Sequence, residues 1–232
     1  MKKINIFTSI ALSLTLIFSA GCSMSNLGKG ALIGGGGGAG LGAGIGALIG
    51  GGKGAAIGAA IGAGVGAGAG ALIGNKMDKQ KKQLEQELAD NAEVETVTDQ
   101  NGLQAIKVTF SSGILFPTNG TTLGSKEREM LTGFATNLLN NPDTNVQIYG
   151  YTDNTGSMAV NERVANGRAD AVHTFLVNSG VNSSRLSAKG IPMADYVASN
   201  DTEEGRAQNR RVEIYITANE QMIKQAEAGT LK

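Results

Sequence analysis

A carboxylate, a carboxamide and a guanidinium are spaced in this sequence so that they can converge on one small polar ligand. Asp153 lies in a polar turn directly after an apolar strand predicted over residues 146–151, and a helix is predicted to begin within a few residues. Asn161 and Arg168 lie on that helix about two turns apart, so they share one flank. A carboxylate suits an ammonium group, and a guanidinium suits a carboxylate through two parallel hydrogen bonds. The pattern therefore predicts a clamp for a zwitterionic amino-acid centre.

Two structural interpretations of the same residues stay open on the sequence alone. Asp153 and Arg168 can form an internal ion pair that only stabilises the helix, because such pairs are common and mostly structural. Thr152, Asp153 or Thr155 can instead be a plain N-cap.

The side chains of this helix that are expected to face the core recur every fourth or eighth residue: Val160, Val164, Val172 and Leu176.

The turn and a second motif near the C-terminus together resemble a known family. Residues 151–156 read Tyr-Thr-Asp-Asn-Thr-Gly, and residues 205–214 read Gly-Arg-Ala-Gln-Asn-Arg-Arg-Val-Glu-Ile. With Asn161 and Arg168 between them, these motifs closely resemble the OmpA-like C-terminal domain, a periplasmic module that binds peptidoglycan noncovalently. The resemblance covers roughly residues 108–217 in consistent order.

This resemblance implies a ligand and a set of site residues. Asp153 and Arg168 would hold the free amino-acid centre of diaminopimelate in the peptidoglycan stem peptide. The further residues expected to line the same pocket are Thr152, Asn119, Asn161 and Arg210. Asn119 has a structural alternative, since an Asn-Gly pair after proline is also simple turn chemistry.

Other residues that can do chemistry are expected to be structural. His173 has no serine or cysteine nucleophile placed beside it by a recognisable motif, so we predict no catalysis and no cofactor. Glu203 is expected in a solvated loop with its acidic neighbours.

Two consecutive arginines are expected to have different roles. Arg210 is expected to reach ligand carboxylates, whereas Arg211, one residue further along an entering strand, is expected to point to the opposite face.

Composition and charge exclude several classes of partner. Residues 1–76 contain five lysines and no acidic residue, which leaves 15 basic against 20 acidic residues in the remainder. A slightly acidic second half argues against nucleic acid as a partner. One cysteine and one histidine exclude a disulfide framework and leave too few soft ligands for a structural zinc site.

Residues 1–21 are typical of an export signal, with a basic start, an apolar core over residues 10–18 and a small-residue cleavage site at residues 19–21. Cys22 follows that site directly. The arrangement resembles a lipoprotein signal, in which this cysteine is acylated and becomes the mature N-terminus. Ser23, rather than Asp, resembles lipoproteins sorted to the outer membrane. An ordinary secretory signal with a free thiol is the alternative.

An internal repeat of 24 residues occupies residues 29–76, after a short linker over residues 22–28. Each copy has more than twenty uncharged residues between lysines, enough to cross a bilayer core of roughly 30 Å. Glycines at four-residue spacing let helices approach closely. We predict a membrane-associated glycine-zipper helical hairpin that turns near residues 51–54. A flexible Gly/Ala spacer is the alternative.

The rest of the chain is predicted as a connector and one folded domain. We expect an amphipathic connector helix over residues 77–92, an OmpA-like domain over residues 93–219 and a helical tail over residues 220–232. The Asn-Gly pair at residues 101–102 predicts a β-hairpin. The fold class is α+β: two helices on a mixed sheet in the order βαβαββ, preceded by the zipper hairpin.

Together these features predict an outer-membrane lipoprotein, lipid-anchored, with its C-terminal domain in the periplasm. It would bind peptidoglycan through the stem-peptide diaminopimelate and tether the outer membrane to the cell wall. The expected partners are peptidoglycan and outer-membrane lipid, and the zipper allows a homo-oligomer. The alternative function is a glycine-zipper oligomeric pore or envelope-stress assembly that the wall-binding domain only positions.

Overall fold

The computed structural model of this chain describes residues 65–116 and 120–232. Several predictions therefore lie outside the described residues: the signal over residues 1–21, the acylated Cys22, the linker, the zipper up to residue 64, and Asn119. Among the described residues, no helix combines the length and the apolar character that crossing a membrane requires.

The described chain forms a five-stranded sheet with helices between and after the strands. The helices are α1 (Ala67–Leu88), α2 (Ser112–Leu115), α3 (Ser125–Asn140), α4 (Met158–Asn178), α5 (Glu203–Asn209) and α6 (Glu220–Glu227). The strands are β1 (Glu93–Thr98), β2 (Gln104–Ser111), β3 (Thr144–Tyr151), β4 (Leu186–Ile191) and β5 (Arg211–Ala218). Short 3₁₀ turns lie at Ala89–Asn91 and Ser183–Arg185.

The sheet is mixed, as predicted. Its strand order is β1-β2-β5-β3-β4, in which only the β3–β4 pair is parallel. The last strand β5 therefore lies in the centre, between β2 and β3. The α+β class is confirmed. The predicted βαβαββ elements are present in the predicted order, and the structure adds the hairpin strand β1 before them and the short helices α2 and α5 between them.

The hairpin between β1 and β2 forms around the predicted Asn-Gly turn. The buried carboxylate of Asp99 accepts hydrogen bonds from the backbone N–H groups of Asn101 at 2.8 Å and Leu103 at 2.9 Å. Gly102 takes a φ of 74°, a conformation that favours glycine. The turn sequence thus fixes the register of the two strands.

Helix α1 is longer than the predicted connector. It begins at Ala67, ten residues before the predicted connector start at residue 77 and within the segment predicted to associate with the membrane. The side chains it buries recur every third or fourth residue: Ala69, Ile73, Met77, Gln80, Leu84 and Leu88. The sequence showed only the last part of this stripe, because a Gly/Ala-rich repeat hides the periodicity of its few larger residues.

The stripe of α1 packs against the folded domain. Helix α1 contacts α3, α6 and the β1–β2 hairpin, and Ile73 and Met77 are fully buried in the main core. Gln80 donates to Asn137 Oδ1 of α3 at 3.0 Å, which adds a polar contact inside this interface. The predicted helical tail is α6, which also buries Met222. The end of the repeat and the tail therefore complete the core.

We expect Ile73→Ala to lower the free energy of unfolding by about 2–5 kcal/mol, because it leaves a cavity in a closed interface. Lys79→Ala, an exposed change on the same helix, should alter it by less than about 0.5 kcal/mol. Urea denaturation of the detergent-solubilised full chain measures both values. Equal effects of the two substitutions would show that α1 does not pack on the domain in solution.

Candidate ligand-binding cleft

Helix α4 lies unusually close to the sheet at two glycines. A Cβ atom on Gly150 of β3 would lie 2.3 Å from the carbonyl oxygen of Ala165. A Cβ atom on Gly190 of β4 would lie 2.4 Å from the backbone nitrogen of Asn166. Neither distance is sterically possible, so glycine is required at both strand positions. This close approach brings the first half of α4 beside the carboxyl end of β3.

The close approach also decides which face of α4 is buried. Ala165 and Ala169 face the sheet because only small side chains fit there, and Val172 and Leu176 continue the buried face as predicted. The prediction was wrong at the start of the helix, where Val160 is 43% exposed and Val164 is only half-buried. Asn161 and Arg168 are buried instead.

These elements enclose a cleft of about 700 Å³ at the end of the central strands. It is lined by five of the six residues predicted for the site: Thr152, Asp153, Asn161, Arg168 and Arg210. Side chains that the sequence did not assign to the site also line it, among them Phe116, Val160, Val164, Glu203 and Arg206. The structure thus brings together every predicted site residue that it describes.

Asp153 is a buried carboxylate with fixed partners. Its side chain accepts a hydrogen bond from the backbone N–H of Thr155 at 2.8 Å and another from Nη1 of Arg210 at 2.7 Å. Burial alone would raise the pKa of Asp153, but the hydrogen bonds from Arg210 and Thr155 outweigh it and hold the pKa below its ordinary value. Asp153 is therefore a charged acceptor at neutral pH.

Arg168 is the most deeply buried cation of the cleft, with 3% of its surface exposed. Its Nε donates to the carbonyl oxygen of Gly120 at 3.1 Å, and its guanidinium lies 5.6 Å from the centre of the Phe116 ring. Burial lowers the pKa of Arg168, the charge of Arg210 lowers it further, and Asp153 opposes both. A guanidinium placed in this way favours an added negative charge.

Asn161 and Thr152 shape the turn that carries Asp153. The amide nitrogen of Asn161 donates to the carbonyl oxygens of Thr155 at 2.8 Å and Ser157 at 3.1 Å. Thr152 Oγ1 accepts a hydrogen bond from the backbone N–H of Met193 at 3.0 Å. The N-cap of α4 is Ser157, so the N-cap interpretation of Thr152, Asp153 and Thr155 was wrong.

The second motif folds around α5 and delivers Arg210 to the cleft. A Cβ atom on Gly205 would lie 2.0 Å from the carbonyl oxygen of Ser199, so this glycine allows α5 to pack on the preceding loop. Asn209 is fully buried and accepts hydrogen bonds from the backbone of Val197 and Ala198 in the same loop. The motif is thus largely a structural device that orients the arginine after it.

Arg210 and Arg211 point in different directions, as predicted. Arg210 reaches Asp153 in the cleft, whereas Arg211 is buried against the ring of Tyr151, 3.8 Å from its centre, and pairs with Glu213 at 2.7 Å. Arg210 also pairs with Glu203 at 2.6 Å. Burial would lower the pKa of Arg210, but the two carboxylates outweigh it and raise the pKa above its ordinary value.

Glu203 is solvated, as predicted, but it lies in a helix and not in the predicted loop. Thr202 is the N-cap of α5, since its side chain accepts a hydrogen bond from the backbone N–H of Gly205 at 3.1 Å, and Glu203 is the first residue of the helix. A threonine followed by two acidic residues is a helix-start signal, which would have placed Glu203 near Arg206 and Arg210.

Two family models match this chain. Residues 115–210 match the OmpA family, and residues 1–78 match the YMGG-like Gly-zipper. The resemblance to the OmpA-like domain is thereby confirmed for the part of the chain that forms the cleft, and the glycine zipper for the N-terminal part.

Relatives and solved structures agree with this assignment. The chain is 40% identical over 112 residues to the probable lipoprotein YiaD of Escherichia coli, and equally so to the peptidoglycan-binding protein ArfA of Mycobacterium tuberculosis. The match covers 48% of this chain in both cases, but only 51% of YiaD and 34% of ArfA. The cell wall anchor of the T6SS from Pseudomonas aeruginosa superposes with a TM-score of 0.52 at 26% identity, over 60% of this chain and 99% of that structure.

We expect the contribution of Asp153 to stability to disappear in acid. Because its folded-state pKa lies below the ordinary 3.8, the charged carboxylate stabilises the fold above that pH and loses this effect as the pH falls through the folded-state value. At pH 7, Asp153→Asn should lower the free energy of unfolding by about 1–3 kcal/mol, and the difference from wild type should shrink below pH 3.8.

Urea denaturation at a series of pH values measures this difference. Asp170→Asn removes an exposed carboxylate from α4, the helix that follows the Asp153 turn, and should change stability by less than about 0.5 kcal/mol throughout. A wild-type advantage over Asp153→Asn that stays constant into acid would contradict the assigned ion pair.

Proposed function

We propose that this protein is an outer-membrane lipoprotein that binds peptidoglycan noncovalently and tethers the outer membrane to the cell wall. The cleft is proposed to hold the free amino-acid centre of a diaminopimelate residue in the stem peptide. The observation that carries the proposal is the convergence of one buried carboxylate, Asp153, with the guanidinium groups of Arg168 and Arg210 in a single cleft.

The charges of the cleft suit a zwitterion. Asp153 stays ionised and can accept hydrogen bonds from an ammonium group, while Arg168 and Arg210 can donate to a carboxylate. Asn161 adds a carboxamide oxygen, to which no hydrogen bond is donated within the part of the chain that the structure describes. Apolar side chains at the rim, Val160 and Val164, offer contact to a short aliphatic chain.

Diaminopimelate in a stem peptide has a free amino-acid centre, which carries both charged groups that the cleft is proposed to bind. Its two amino-acid centres are joined by an aliphatic chain, and when one centre is part of the stem-peptide backbone the other carries a free ammonium and a free carboxylate. Lysine at the same stem position offers an ammonium group without the carboxylate. We propose that Arg168 and Arg210 make this distinction, because a guanidinium can donate hydrogen bonds to a carboxylate and can accept none from an ammonium group.

The similar proteins support a role at the cell wall. ArfA is named a peptidoglycan-binding protein and YiaD a probable lipoprotein, and both match the part of this chain that forms the cleft. We propose that Cys22 carries the lipid anchor, that the part of the zipper before α1, residues 29–66, associates with the membrane, and that the domain lies in the periplasm. Binding without catalysis is proposed, since the cleft residues are held in ion pairs and buried hydrogen bonds.

The match of residues 1–78 to the Gly-zipper family supports an alternative function in which the protein forms an oligomer. In that alternative the zipper assembles a pore or an envelope-stress complex, and wall binding only positions it. Conductance of the purified full chain in planar bilayers discriminates the two functions. Channel currents would favour the assembly, whereas their absence alongside wall binding favours the tether.

We expect Asp153→Ala and Arg168→Ala each to weaken binding to purified sacculi by more than tenfold, which corresponds to a loss of more than about 1.4 kcal/mol. Each substitution removes one half of the proposed zwitterion clamp. The measurement is co-sedimentation of the detergent-solubilised full chain with sacculi that contain diaminopimelate, over a range of sacculus concentrations.

Matched controls lie on the exposed side of α4. Asp170→Ala and Arg163→Ala remove the same two types of charge from exposed positions of α4, and both should bind as wild type does. Circular dichroism shows whether each variant is folded. If folded Asp153→Ala and Arg168→Ala sediment like their controls, the cleft is not the wall-binding site.

A further inference from the structure

The cleft already contains a second carboxylate, which belongs to the protein itself. Glu203 Oε1 accepts a hydrogen bond from Nη2 of Arg210 at 2.6 Å. Glu203 Oε2 accepts two from Arg206, from Nη2 at 2.8 Å and from Nε at 3.1 Å. The carboxylate of Glu203 therefore bridges two guanidinium groups, in the manner that a ligand carboxylate would.

This internal carboxylate is held weakly. The side chain of Glu203 is 63% exposed, whereas the side chain of Asp153 on the other side of Arg210 is only 8% exposed. Exposed ion pairs add little to stability because water already solvates both charges. Glu203 is also the first residue of a short helix, so its side chain can turn into solvent without moving the helix.

Arg210 has a second partner in the cleft besides Glu203. Its Nη1 remains bonded to Asp153, which is fixed in turn by the backbone N–H of Thr155. Removal of the Glu203 carboxylate would therefore leave Arg210 in the cleft with its Nη2 directed to the place that Glu203 occupied. The cleft would then hold the three guanidinium groups of Arg168, Arg206 and Arg210 and a single carboxylate, that of Asp153.

We propose that Glu203 is an internal competitor that occupies the carboxylate position of the cleft and must be displaced from Arg210 and Arg206 when an anionic ligand binds. The inference rests on the proposed function, because the ligand group concerned is the carboxylate of the amino-acid centre. Glu203 thus sets the affinity of the site and favours ligands whose carboxylate reaches both arginines over ligands that offer an ammonium group alone.

We expect Glu203→Gln to tighten binding of a carboxylate ligand by about three- to tenfold, since the competing charge is lost and the positive cleft gains one net charge. Glu204→Gln is the matched control. It makes the same change one residue away, at an exposed side chain that forms no ion pair among the described residues. Isothermal titration of the detergent-solubilised full chain with meso-diaminopimelate measures the affinities, and 1,5-diaminopentane tests an ammonium ligand without carboxylates.

The sign of the effect decides the proposal. Tighter binding of meso-diaminopimelate by Glu203→Gln, without a gain for 1,5-diaminopentane or for Glu204→Gln, supports it. If wild type binds and Glu203→Gln binds equally or more weakly, the competitor role is excluded and the proposed function stands. If neither wild type nor Glu203→Gln binds meso-diaminopimelate or a soluble stem peptide, the proposed ligand and the competitor role both fail.

Discussion

The close packing of α4 on the sheet is the constraint on which the candidate site depends. Gly150 and Gly190 remove the side chains that would hold the helix away from β3 and β4, and Ala165 supplies the small facing residue. With the helix in this position, Asn161 and Arg168 are turned into the cleft beside Asp153 rather than into solvent. In an interior packed this closely, a small change in the volume of one side chain displaces its neighbours. The relative positions of Asp153, Asn161 and Arg168 therefore depend on the whole contact between α4 and the sheet.

The sequence predicted the parts of the site that depend on local chemistry. The turn after β3, the helix after it and the two-turn spacing of Asn161 and Arg168 follow from short-range rules, and the Asn-Gly hairpin does as well. Prediction from the sequence failed where the surroundings of a residue are formed by segments that are distant in the chain. Val160 looked like a core residue because valine at helical spacing usually is one, yet the glycine contacts rotate the buried face toward the two alanines.

The limits of the sequence at both ends of the domain have the same origin. The first part of α1 is recognisable as amphipathic only once the partners of Ile73 and Met77 are known, because alanine and glycine give little periodic contrast. Glu203 acquires its role from Arg206 and Arg210 together, and only the folded α5 brings these charges to Asp153. The cleft is therefore an electrostatic network assembled from β3, α4 and α5, not a property of one motif.

The most direct test of this account is a thermodynamic cycle between the ligand carboxylate and Arg168. Calorimetry of wild type and Arg168→Ala is carried out with a diaminopimelate stem peptide whose free centre carries either a carboxylate or an amide. The account predicts that amidation weakens binding to wild type about tenfold or more and weakens binding to the variant clearly less, because only Arg210 and Arg206 remain to bind the carboxylate; this is the non-additivity expected of two groups in contact. Equal losses in both proteins would show that the ligand carboxylate is not bound by Arg168.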